Sequence, residues 1–135
     1  RTLAVPTFKN MTYEPRVEVL LADTLIKTLQ QDGTYTIVSD DTADAILYCT
    51  LTLVERRSNR SVQNNVLATS EFGLALEVSY EVVDRVTGIV LMSGREQGKS
   101  SFFANSDLQT TERQAIPIAA QDLAVRLTSR ISEGW

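Results

Sequence analysis

Histidine is absent from the 135-residue chain, and cysteine occurs only once, at Cys49. Without histidine the chain cannot form a Ser-His-Asp triad, a Cys-His pair or a His-ligated zinc site. A single cysteine also rules out a disulfide within the chain. These absences close the commonest enzyme chemistries to this chain, and we expect no cofactor and no bound metal.

Positive charge and long apolar runs are scarce as well. The 13 Lys and Arg against 17 Asp and Glu give a net charge of −4, which argues against a nucleic-acid-binding protein. No apolar run approaches the ~20 residues that a membrane-spanning helix needs. Apolar residues make up 43% and charged residues 22%, as in folded globular proteins. With no linker or internal repeat, we predict one domain over residues 1–135.

Two features could in principle carry reactive groups, and both favour a structural interpretation. Cys49 lies in an apolar run with no cationic neighbour, which indicates a buried, unreactive thiol. Asp40, Asp41 and Asp44 cluster at a turn and could bind a divalent cation or act as acid and base. Turn carboxylates more often bond their own backbone, and the glycine and ligand spacing of a calcium loop are missing. A hydrolase that uses these carboxylates remains the weakest of three functional hypotheses.

Apolar periodicity predicts two amphipathic helices. The first spans residues 15–32, with Pro15 in its first turn and Gly33 as its stop. The second carries an apolar stripe from Ile116 onward. Ser106 and Gln109 have capping-box spacing, so this helix either begins there and kinks at the proline at position 117, or begins near position 116.

Alternating patterns predict the strands between these helices. Residues 3–8, 35–38 and 45–54 each read as a strand, and a charged segment at 55–65 then breaks the pattern. Apolar and polar residues alternate over 72–84, and turn residues at 84–88 lead into a strand at 89–93, which predicts a hairpin with one polar face. We predict an α+β two-layer sandwich, with two amphipathic helices packed on one face of a roughly four-stranded, mostly antiparallel sheet.

The densest positive charge lies at Arg56, Arg57 and Arg60, after an apolar strand. Guanidinium groups make bidentate bonds to phosphate oxygens, so the cluster could bind an anionic ligand. The alternative is a solvated hairpin tip whose charge discourages edge pairing. Lys99 and Arg95 are expected on a neighbouring strand. The candidate ligand-binding residues are therefore Arg56, Arg57, Arg60 and Lys99.

The order and spacing of several segments resemble the lipopolysaccharide-assembly lipoprotein (LptE-like) family. The segments that carry the resemblance are residues 3–15 with 18–25, 32–35 and 43–47, then 80–84 with 87–88, and finally 115–135. The resemblance implies two helices on a sheet and a non-enzymatic lipoprotein on the periplasmic face of the outer membrane. It also implies a complex with an LptD-like β-barrel translocon, whose lumen the protein partly plugs while it assists lipopolysaccharide assembly.

The resemblance sets two further expectations. The acylated N-terminal cysteine of the family has no counterpart here, since Cys49 lies within a strand, so a lipid anchor is expected upstream of Arg1. Lipopolysaccharide would be the ligand of the four cations named above. The alternative to this function is a periplasmic lipoprotein that scaffolds or activates a cell-wall synthase or a secretion pore, because such proteins also begin with a strand of this kind before a helix.

Overall fold

The computed structural model describes residues 1–59, 70–104 and 108–135, with the side chains at 58–59, 70, 103–104 and 108–112 left out. A six-stranded sheet forms one layer and two helices form the other. The strands are β1 (Thr2–Ala4), β2 (Lys9–Asn10), β3 (Thr36–Ile37), β4 (Ala45–Asn59), β5 (Ser70–Asp84) and β6 (Val90–Ala104). The helices are α1 (Val17–Asp32) and α2 (Leu108–Ser132).

Three long antiparallel strands make up most of the sheet. The strand order is β3-β1-β4-β5-β6, and β2 also pairs with β4. The pairs β4–β5 and β5–β6 are antiparallel, whereas β1, β2 and β3 add short parallel pairings at the other edge. The sheet is therefore mixed and six-stranded, which corrects the predicted four mostly antiparallel strands while keeping the α+β class and the two layers.

Both helices cover one face of the sheet. Every second residue of β5 from Leu74 to Val82 is buried against the helices, as the alternation predicted. The buried stripe of α1 consists of Val17, Leu21, Ala22, Leu25 and Leu29, and that of α2 consists of Ala115, Ala119, Ala120, Leu123, Ala124, Leu127 and Ile131. Neither of the two described helices lies above the opposite face of β4, β5 and β6.

The ends of α1 follow its local sequence. The helix begins at Val17 because Arg16, just before it, adopts a left-handed conformation with φ of 71°. Gly33 ends it with φ of 77°, and its N–H donates to the carbonyl of Leu29 at 3.1 Å. The predicted stop is confirmed, and the predicted start is two residues early.

The second helix passes through Pro117 without ending there. It begins at Leu108, eight residues before Ile116, so the longer of the two predicted helices is the one present. The predicted cap at Ser106 lies outside the described residues. Tertiary packing explains why the helix continues through Pro117, because its buried stripe lies on both sides of the proline, from Ala115 to Ile131. Neither described helix is long and apolar enough to cross a bilayer.

Several predicted strand boundaries were wrong, three of them by several residues. The strand predicted at 3–8 ends at Ala4, before Pro6, which cannot donate to a ladder, and a second short strand, β2, follows at Lys9–Asn10. Strand β4 continues to Asn59, through charged residues expected to end it, and β6 continues to Ala104. Both extensions pair with β5, so cross-strand hydrogen bonds override the local loss of apolar character.

Candidate ligand site on the open sheet face

The outward side chains of β4, β5 and β6 form a polar surface on the sheet face that the helices leave uncovered. We call this surface the open face. Its β5 members include Glu77, Ser79 and Glu81, the polar half of the alternation. Across from them on β6 lie Gln97, Arg95 and Ser93, and Lys99 follows opposite Ala75. A sheet face this polar does not need a covering layer, which leaves it available to a ligand or partner.

The structure divides the predicted arginine cluster between two faces. Arg56 and Arg57 are successive residues of β4, and successive side chains of a strand point to opposite faces. Arg57 lies opposite Gly73 on the open face. Arg56 lies opposite the buried Leu74, on the helix side, where its Nη2 is 2.7 Å from Oε1 of Glu14.

Arg57 and Lys99 are brought together on the open face. Both line a hollow of about 420 Å³, and Glu55 lines it as well. Arg57 pairs with Glu55, whose pKa is lowered by the hydrogen bond from Arg57 and, more weakly, by the charge of Lys99. Of the four predicted residues, Arg57 and Lys99 line one hollow, Arg56 lies on the other side of the sheet, and Arg60 lies outside the described residues.

The next row of the open face is held by its own hydrogen bonds. Oε1 of Glu77 accepts from the amide of Gln97 at 3.1 Å, and its Oε2 accepts from the hydroxyl of Thr52 at 2.9 Å. This three-residue chain keeps the Glu77 carboxylate engaged beside the Arg57–Lys99 hollow. The hollow therefore combines Lys99 and Arg57, the latter paired with Glu55, with a fixed polar wall, and these two cations can bind an anionic group with several oxygens.

The structure shows the surroundings of the two reactive features considered from the sequence. Asp44 bonds Thr2, and Asp40 and Asp41 are exposed in the loop. The part of the chain that the structure describes contains no group of three or more potential metal ligands. Cys49 is buried, and burial raises the pKa of its thiol far above the usual range, which disfavours the reactive thiolate.

Comparisons with known proteins decide the family. The sequence model of the LptE family, described as lipopolysaccharide-assembly, matches residues 1–131. The chain belongs to the LptE family. The family predicted from the order of the sequence motifs is thereby confirmed. The LptE family consists of non-enzymatic envelope lipoproteins of lipopolysaccharide assembly.

Solved structures share the fold at low sequence identity. A minor lipoprotein of Acinetobacter baumannii is 18% identical with a TM-score of 0.63, covering 98% of this chain and 92% of that one. Lipoprotein GNA1162 of Neisseria meningitidis is 15% identical with a TM-score of 0.54, covering 98% and 99%. The PelC dodecamer of Paraburkholderia phytofirmans is 19% identical with a TM-score of 0.53, covering 93% and 88%. No curated protein sequence matches significantly.

Proposed function

We propose that this LptE-family chain assists lipopolysaccharide assembly at the outer membrane by binding an LptD-like β-barrel translocon and partly plugging its lumen. In this proposal the protein is held at the periplasmic face of the outer membrane by a lipid anchor upstream of Arg1. The observation that carries it is the family match over residues 1–131.

The open face supports a role inside a hydrophilic lumen. A plug needs a rigid body and a polar surface where it meets the barrel wall. The core of this chain lies between the helices and one sheet face, and the other face carries charged and hydroxyl side chains along three strands. Such a surface can contact a polar wall without burying unpaired apolar or charged groups.

Affinity capture from native outer membranes tests the partner. The full-length lipoprotein is solubilised in mild detergent, captured, and its bound proteins are identified. The proposal expects a β-barrel translocon in stoichiometric amount. Recovery of a peptidoglycan enzyme or a secretion pore in place of a translocon would overturn it. That result would support the alternative function of a scaffold or activator.

Lipopolysaccharide is the anionic ligand assigned here to the Arg57–Lys99 hollow. Replacing both residues, Arg57→Ser with Lys99→Ser, should weaken lipopolysaccharide binding at least tenfold, because each charge-assisted hydrogen bond contributes about 1.5–3 kcal/mol. The side chain of Arg57 is 64% exposed, so the free energy of unfolding should change by no more than about 1 kcal/mol. Binding is measured by pull-down or calorimetry at physiological salt.

Arg56→Ser is the matched control for this prediction. It removes the same kind of side chain from the adjacent position, but on the helix side beside Glu14. We expect it to leave lipopolysaccharide binding within about twofold of the unmodified protein, a change of less than ~0.5 kcal/mol. An equal loss in Arg56→Ser and in the double variant would contradict the assignment of the open face.

A further inference from the structure

A second hollow, of about 620 Å³, lies on the open face near the β5–β6 turn. Strands β4, β5 and β6 form its floor, and Thr7 and Lys9 form one wall. Tyr48 stands beside this wall with 46% of its surface exposed. The hollow is separate from the Arg57–Lys99 site, since no residue lines both. We call it the Tyr48 groove.

The strand register arranges the side chains of the Tyr48 groove in two rows. One row crosses three strands as Tyr48, Glu81 and Ser93, and the other crosses four strands as Lys9, Thr50, Ser79 and Arg95. Neighbouring strands are ~4.8 Å apart, so the two cations at the ends of the second row are separated by about 14 Å at the backbone. Hydroxyl groups fill the space between these cations.

The polar side chains of the Tyr48 groove are not engaged with one another. Among the described residues, none of the seven side chains in the two rows takes part in a hydrogen bond or ion pair. The neighbouring part of the open face is different, because Arg57 pairs with Glu55, and Glu77 bonds both Gln97 and Thr52. Donors, acceptors and charges are therefore free here to bind an external group.

The combination of groups indicates the class of ligand. An exposed tyrosine ring offers a flat apolar surface with a polar tip, which suits the C–H face of a sugar ring. Hydroxyls of Thr50, Ser79 and Ser93 both donate and accept hydrogen bonds, and the Glu81 carboxylate accepts from sugar hydroxyls. Lys9 and Arg95 supply charge for an anionic substituent at either end.

Other ligand classes fit these residues less well. A lipid chain requires an apolar groove, whereas six of the seven side chains are hydroxyl or charged groups. Single-stranded nucleic acid requires several aromatic platforms and an excess of positive charge, and the groove has one aromatic ring in a chain of net charge −4. A divalent cation requires several carboxylates, and the two rows contain only Glu81.

We propose that the Tyr48 groove binds a saccharide that carries a negatively charged group, with Tyr48 under a sugar ring and Arg95 or Lys9 on the anion. This is a second site, distinct from the Arg57–Lys99 site. It rests on the proposed function in one respect, which is that lipopolysaccharide is named as one source of such a saccharide. A second source with the same chemistry is an acidic exopolysaccharide, whose charge is carboxylate rather than phosphate.

Calorimetric titration of the protein with three probes tests this site. The probes are the phosphorylated core oligosaccharide of delipidated lipopolysaccharide, an oligogalacturonate, and a neutral maltooligosaccharide. At least one charged probe should bind at least tenfold more tightly than the neutral one. A stronger response to the phosphorylated probe identifies lipopolysaccharide as the source, and a stronger response to the oligogalacturonate identifies an acidic polysaccharide. No binding of either charged probe overturns the proposal.

Two pairs of variants locate the binding. Tyr48→Ala and Arg95→Gln should each weaken binding of the charged probe at least fivefold. Their controls, Tyr13→Ala and Arg113→Gln, remove an exposed tyrosine and an exposed arginine outside the groove and should leave binding unchanged. Equal effects in variants and controls overturn the proposal. A further result separates the two sites. If the charged probe binds this groove but the double variant Arg57→Ser, Lys99→Ser binds whole lipopolysaccharide as tightly as the unmodified protein, only the Arg57–Lys99 assignment has failed.

Discussion

Gly98 sets how closely α2 approaches the sheet. A Cβ at this position of β6 would lie 2.2 Å from the carbonyl oxygen of Ala119 and 2.5 Å from the backbone nitrogen of Leu123. Both are backbone atoms of the helix, which cannot rotate away as a side-chain tip can. Close helix–strand packing here therefore requires glycine, and the small Ala119 on the facing turn serves the same contact.

Gly98→Ala should lower the free energy of unfolding by about 1–3 kcal/mol, because the added methyl group forces α2 and β6 apart. Denaturation in urea measures the loss. Gly94→Ala on the same strand is the control, because its Cβ would meet the hydroxyl of Tyr80 at 3.0 Å, a side-chain tip that can shift. If the two alanine variants are equally stable, the close approach at Gly98 does not limit the packing.

The separation of Arg56 from Arg57 shows how much of the site a sequence can predict. Once both belong to a strand, the two-residue period places them on opposite faces. The charged run from Glu55 onward instead indicated a loop, in which neighbouring side chains can converge. The Tyr48 groove was missed for a related reason, although a signal existed. Tyr48 and Thr50 alternate with the buried Leu47, Cys49 and Leu51, which predicts an outward polar row.

At the scale of elements, α2 seals part of the outer edge of β6. The backbone N–H of Lys99 donates to Oδ2 of Asp122 at 2.9 Å, and the hydroxyl of Ser100 donates to the carbonyl of Ala115 at 2.9 Å. Arg130 lies 3.5 Å from Glu96 further along the same pair of elements. Unpaired edge groups promote strand pairing with other chains, so these contacts protect a long terminal strand.

Asp122→Ala should speed hydrogen exchange of the Lys99 amide several-fold, because the amide loses its charged acceptor. The cost to global stability should be about 1 kcal/mol, since Asp122 is partly exposed. Exchange measured residue by residue by NMR reports both effects. Asp122→Asn keeps an acceptor oxygen and should restore much of the protection. An unchanged Lys99 amide in Asp122→Ala would show that the helix does not cap this edge.

The sequence predicted some helices and strands better than others. The helices and β5 bury one face each, so their apolar residues recur at the period of the element. The second half of β6 was missed because its outward residues are polar and its inward positions include Gly94 and Gly98, which leaves little apolar alternation. The strands β1, β2 and β3 span two or three residues and pair in parallel with partners far along the chain, which no local pattern records.

At the scale of the whole molecule, contacts between distant segments hold the edge of the sheet and the chain ends together. Tyr35 stacks on Trp135 at 4.5 Å between ring centres, and its hydroxyl donates to the carbonyl of Ile131 at 3.0 Å. Asp32 at the end of α1 accepts from Ser132 at 2.7 Å. All three contacts join segments about a hundred residues apart, and they hold α1, α2 and the start of β3 against one another.

The stability of the fold depends on pH through four carboxylates of the described residues. Hydrogen bonds from Thr34 and Ser132 lower the pKa of Asp32, and bonds from Thr2 lower that of Asp44. The pKa of Glu55 is lowered by Arg57, and that of Asp84 by the turn amide of Thr87 and its neighbours. Because each pKa is lower in the folded state, each group binds a proton more readily when unfolded. Its stabilisation is full above the unfolded pKa of ~4 and disappears as the pH falls through the folded value.

Asp44→Asn tests this dependence at the contact between β1 and β4. Oδ2 of Asp44 accepts from the backbone N–H of Thr2 at 3.0 Å, and the backbone N–H of Asp44 donates to the hydroxyl oxygen of Thr2 at 2.9 Å. The amide keeps an acceptor but not the charge, so Tm at pH 7 should fall below that of the unmodified protein. The two melting curves should converge as the pH drops from about 4 toward 2, where the carboxyl is protonated. The control is Asp40→Asn, in the exposed loop, which should change Tm little at any pH. If the Tm difference for Asp44→Asn stays constant down to pH 2, the ionised carboxylate is not what stabilises this contact.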